Sequence, residues 1–122
     1  MIDFENGSFV KLMKTDSVGK GIDQLLIPGE TIIGSYKGIR DSVTFTDKRV
    51  IAVNVQGLTG KKKDYTSLPY SKIQAFSVET SGVFDMDSEL ELWFSSIGLV
   101  KFEFSGGSDI VKIGQTIAEF VL

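Results

Sequence analysis

The stretch LELWFSSIGLVKFEFSGGSDIVKIGQTIAEFVL, residues 90–122, changes its period halfway through. Leu90, Leu92 and Phe94 alternate with Glu91, Trp93 and Ser95; Val100, Phe102 and Phe104 alternate with Lys101 and Glu103. Successive side chains of a strand point to opposite faces, so each run predicts a strand with one buried face and one outward face. After Gly106-Gly107, the residues Ile110, Ile113, Ile117 and Phe120 recur every three or four positions. That spacing predicts an amphipathic helix running nearly to Leu122. Ser108 is the expected N-cap, with Asp109 well placed at the positive end of the helix.

Upstream, strand signals dominate. Thr31–Tyr36 is β-branched and aromatic after the turn Pro28-Gly29. Ser42–Thr46 alternates, with Val43 and Phe45 on one face. Arg49–Val55 is almost continuously apolar, as expected of a strand covered on both sides. Residues 57–63 read as a loop, Tyr65–Leu68 as a short strand stopped by Pro69, and Ile73–Glu79 as a further strand. These make seven strands at mostly hairpin separation, hence antiparallel. Seven short strands leave open edges that a terminal helix can cap. The expected fold class is therefore mainly β: two bent sheets, sandwich-like or a partly open barrel, plus one C-terminal helix. Residues 1–21 are expected to be a separate N-terminal segment, with Val10–Lys14 a short helix or loop, and residues 22–122 the domain, which opens on a helical turn at Ile22–Ile27.

The chain has 122 residues, the size of one domain. It contains no cysteine and no histidine, which removes disulfides, His/Cys zinc sites and every mechanism built on a histidine base. Non-catalytic function is expected, with no cofactor and no metal. A net charge of −3 argues against nucleic acid as a partner. Phe102 and Phe104 are expected in the core and not on a base-stacking platform. No secretory signal or membrane-spanning run is read, and a cytoplasmic address is expected.

The segments LLIPGE (25–30), IRDSVTFTDKR (39–49), QGLTGKK (56–62), YTSLPYSKI (65–73) and FSVETSGVFDMDSEL (76–90) resemble the bacterial pleckstrin-homology-like domain family. The resemblance covers roughly residues 22–122. It implies a PH-like barrel of seven strands capped by the C-terminal helix, assembled into a cyclic homo-oligomer, a pentameric ring in single-domain members. A polar surface where strands of neighbouring protomers meet would bind an unidentified partner protein. The family brings no catalytic residues.

Two residue groups are candidates for binding. Lys61, Lys62 and Lys63 should share an end of the barrel with Lys37 and Arg40, because adjacent antiparallel strands alternate direction. In eukaryotic PH domains that end holds a phosphoinositide headgroup. Lys37 and Arg40 match the family's pattern there, but Ser42 stands where its next basic residue would be. An anionic membrane is thus the alternative partner, at about 1 kcal/mol per lysine. The same stretch is not a P-loop: two residues, not four, separate Gly57 from Gly60, and a strand follows. The second group comprises Arg40, Asp41, Asp47, Lys48, Arg49 and the outward Trp93, candidates for protein contact. Asp85, Asp87 and Glu89 alternate as oxygen ligands can, but lack the glycine and flanking helices of a calcium loop.

Overall fold

The computed structural model describes residues 1–6, 9–17, 20–84, 86–106 and 108–122. Among these, eight strands form two antiparallel sheets. The first sheet takes its strands in chain order: β1 (Met13–Thr15), β2 (Ile32–Lys37), β3 (Asp41–Thr46), β4 (Arg49–Gln56) and β5 (Lys62–Pro69). The second holds β6 (Ala75–Glu79), β7 (Ser88–Phe94) and β8 (Gly98–Phe104). Helix α1 (Lys20–Leu25) precedes β2, and α2 (Ile110–Val121) closes the chain.

The period-2 residues meet as expected. Val43, Phe45, Val50, Ala52 and Leu68 of the first sheet share one core with Leu90, Leu92, Phe94, Val100, Phe102 and Phe104 of the second. Ile110, Ile113 and Ile117 of α2 complete it, and Gly114 lets the helix lie close to β6. A Cβ on Gly114 would come within 2.9 Å of Val78 Cγ1. The N-cap is Asp109 and not Ser108: its carboxylate accepts the Lys112 amide at 3.1 Å, satisfying a donor the helix itself cannot.

β4 is covered on both faces, as its composition predicts. Val50 and Ala52 face the main core, while Ile51 and Val53 join Ile22 of α1 in a second cluster. The helical turn expected over Ile22–Ile27 is α1, which ends at Leu25 and is the lid on the far side of the first sheet.

Two further expectations are corrected. Val10–Lys14 is not helical. Residues 9–12 run along β8, with Glu103 N–H donating to the Phe9 carbonyl at 2.9 Å and Leu12 N–H to the Glu103 carbonyl at 3.0 Å. The chain then crosses to β2 as β1, Met13 facing Lys37, so this segment links the edges of both sheets and adds an eighth strand. Left-handed φ at Phe9 (67°) and Lys11 (52°) breaks the alternation. Phe9 and Leu12, three apart, are therefore both buried. Secondly, β5 begins at Lys62, not Tyr65, because Gln56 and Val55 extend the ladder to Lys62 and Lys63. Gly57 and Gly60, with φ of 75° and 69°, close the hairpin before it.

Candidate functional site

The β2–β3 and β4–β5 connections lie side by side, as antiparallel order requires. Lys37, Arg40 and Lys63 line one concavity of about 190 Å³ with Ser42 and Tyr65. Arg40 bridges the two connections: its guanidinium donates to the Gly57 carbonyl at 2.7 Å, and its own carbonyl accepts the Val55 amide at 2.8 Å. Asp41 stands on the same concavity, half-buried, and its carboxylate accepts the Phe9 amide. Burial, the larger influence, raises the Asp41 pKa against that hydrogen bond. Lys61 and Lys62 are exposed after the turn, and Ile39 and Leu58 are fully exposed at the two tips. Ile39 and Leu58 carry no periodic signal, so sequence reasoning passed over them.

The other charged candidates divide. Arg49 turns inward and grips Glu30 in a two-pronged pair, Nε to Oε2 and an NH2 nitrogen to Oε1, both at 2.9 Å. The same guanidinium donates to the Leu25 carbonyl at 2.7 Å and to Ser67 Oγ at 2.9 Å. The Glu30 side chain is fully buried and also accepts Thr46 Oγ1–H at 2.6 Å and the Ile27 amide at 3.2 Å. The Arg49 hydrogen bonds lead in pulling its pKa from 4.5 to about 2, against the opposing effect of burial. Sequence reasoning missed Glu30; its only signal was an acid closing the apolar run LLIPGE. Asp47 is also engaged locally, accepting the Thr31 amide at 3.0 Å. Lys48 is exposed.

Trp93 belongs to a third arrangement, the outer face of the second sheet. Register places Ala75, Trp93 and Leu99 in one row across β6, β7 and β8. Ser77, Glu91 and Lys101 form the next row, and Glu79, Glu89 and Glu103 the third. One end of the face is apolar and the other acidic. A groove of about 570 Å³ opens between Phe4, Val10, Trp93 and Leu99 and continues past Lys101 to Glu103, and Trp93 stays 47% exposed. At the acidic end, carboxylate oxygens of Glu79, Glu89 and Glu91 lie within 4.8 Å of one another. Lys101 reaches Glu89 at 3.2 Å, and Glu89, Glu91 and Glu79 together raise its pKa. A lysine thus already supplies the cation that a metal would bring. Of the acids singled out by alternation, Glu89 is here, Asp87 pairs with Lys11 at 3.8 Å, and Asp85 lies outside the described residues.

The model of the bacterial PH domain family matches residues 4–121. This chain is a bacterial PH domain. It is 42% identical to the uncharacterised Bacillus subtilis protein YjqA, over 87% of this chain and 86% of that one. The uncharacterised YozO of the same organism is 34% identical, over 93% of this chain and 96% of its own. A crystallised protein with a pleckstrin-homology domain from Shewanella loihica superposes with a TM-score of 0.80 at 40% identity, over 93% and 99% of the two chains. Both family and fold expected from the motifs therefore hold for this PH domain. No helix among the described residues is long and apolar enough to cross a membrane.

Proposed function

We propose that this PH domain is a non-catalytic scaffold that forms a cyclic homo-oligomer and binds partner proteins near the contacts between protomers. The observation that carries this reading is the outer face of the second sheet. An apolar row containing a half-exposed tryptophan beside a groove is costly to leave in water, and tryptophan is concentrated at the centres of protein interfaces. Val83 and Phe84, almost fully exposed on the β6–β7 connection, add a second apolar surface for a partner. The sequence offers no histidine or cysteine for acid–base or thiolate chemistry. Light scattering tests the assembly. Wild type is expected to run as a closed multimer and Trp93→Ala to dissociate about 30-fold or more readily, the effect of losing a central anchor. A strict monomer at every concentration would remove the reading.

A second reading has its own support. Lys37, Arg40 and Lys63 around one concavity, between exposed Ile39 and Leu58, make a basic tip with apolar points. Such a tip suits a peripheral contact with anionic lipid. Lys61, Lys62 and Lys63 give about 3 kcal/mol, weak for one protomer but firm for a ring presenting several copies. Co-sedimentation with phosphatidylserine vesicles at low salt is the measurement. Binding that is abolished by Lys61, Lys62 and Lys63→Ala together supports the lipid contact; no binding by wild type excludes it.

A further inference from the structure

The basic hairpin and the outer sheet face are complementary to each other. The hairpin presents a fully exposed Leu58 at its turn, followed by Lys61, Lys62 and Lys63. The face presents an apolar row followed by acidic rows, in which three glutamates crowd around one lysine. That acidic end keeps an excess of negative charge which Lys101 alone does not balance.

We infer that the β4–β5 hairpin of one copy docks on the outer β6-β7-β8 face of a second copy, leucine on the apolar row and lysines on the acidic rows. This rests on the self-association proposed above and assigns it an interface. The two surfaces differ, so the contact is head-to-tail. Repeated, such a contact closes into a ring when its rotation allows and otherwise propagates. Attraction between opposite charges fixes the register and speeds encounter, while the tryptophan row supplies the desolvated centre. The lysines have a local use as well, since charge on an edge strand discourages unplanned pairing. That use explains Lys62 and Lys63 on β5, but it explains neither the exposed Leu58 nor the matching order of the opposite face.

Charge exchange on the full chain, read by light scattering with circular dichroism as a check on folding, decides the matter. Two variants are needed: Lys61→Glu, Lys62→Glu and Lys63→Glu together, and Glu89→Lys with Glu91→Lys. Each alone is expected to self-associate about 10–100-fold more weakly than wild type. Combined in one chain, the two sets of substitutions are expected to restore assembly, because every acidic hairpin then meets a basic face whatever the number of copies. Assembly of both variants at wild-type strength would overturn this interface and leave self-association standing. A folded combined variant that stays monomeric would also overturn it. A hairpin variant that assembles normally but no longer binds phosphatidylserine vesicles would give the hairpin to lipid. A wild type that never assembles would remove the broader proposal and the interface together.

Discussion

Phe102→Ala is expected to lower the free energy of unfolding by about 3–5 kcal/mol, the range for deleting a buried aromatic ring. Phe102 is fully buried, and it sits where the N-terminal segment joins the barrel. Phe9 meets it edge-on with ring centroids 5.3 Å apart, and Phe4 does so at 6.5 Å. Phe4 and Phe9 also stack on each other at 5.6 Å. Truncation therefore opens a cavity and removes the platform for both N-terminal rings. The loss should be uneven in space. Amides in the pairing between residues 9–12 and β8, such as Leu12 and Ser105, should exchange with solvent faster than those of the β3–β4 ladder. Phe102→Leu, which keeps most of the volume, should cost well under half as much. Urea denaturation measures the first effect and hydrogen exchange the second. A loss under about 1 kcal/mol for Phe102→Ala would mean that the ring is not the keystone its packing suggests.

What could be read in the sequence follows from where burial is one-sided. Leu90–Phe94 and Val100–Phe104 face one core with alternate residues, so burial leaves a period of two, and α2 leaves a period near 3.6. The gathering of Lys37, Arg40 and Lys63 was also legible, because strand direction alone brings their loops together. The N-terminal segment was not, since its inward residues are set by two left-handed backbone positions that no hydrophobic pattern encodes. Nor was the start of β5. Lys62 and Lys63 have little strand preference, and it is their pairing with β4 that makes them a strand. The outer face needed register. Glu79, Glu89 and Glu103 become neighbours only once the pairing of three strands is fixed. Arg49 was legible as charged but not as the partner of a buried acid, because Glu30 lies 19 residues away.

That hidden pair should dominate the response of stability to charge. Arg49→Met leaves the Glu30 carboxylate buried with only a hydroxyl and an amide to satisfy it, and should cost about 3–5 kcal/mol. Changing both partners, Glu30→Leu with Arg49→Met, should recover much of that loss, because it is the orphaned charge and not the missing attraction that is expensive. The pH dependence gives an independent reading. In the folded chain Glu30 titrates at about 2 instead of 4.5, so its ionised form binds better in the native state than in the unfolded one. Its contribution is fully present above about pH 4.5 and disappears as pH falls through about 2. This shift corresponds to about 3 kcal/mol. Wild type should thus lose stability steeply on the acid side, whereas the double variant should lack that share of the slope. Arg49→Met should lack it too, since without the guanidinium the dominant cause of the low pKa is gone. Urea titrations across pH 2–7 measure all three chains. An Arg49→Met protein within about 1 kcal/mol of wild type, with the same acid-side slope, would show that the buried carboxylate finds other compensation.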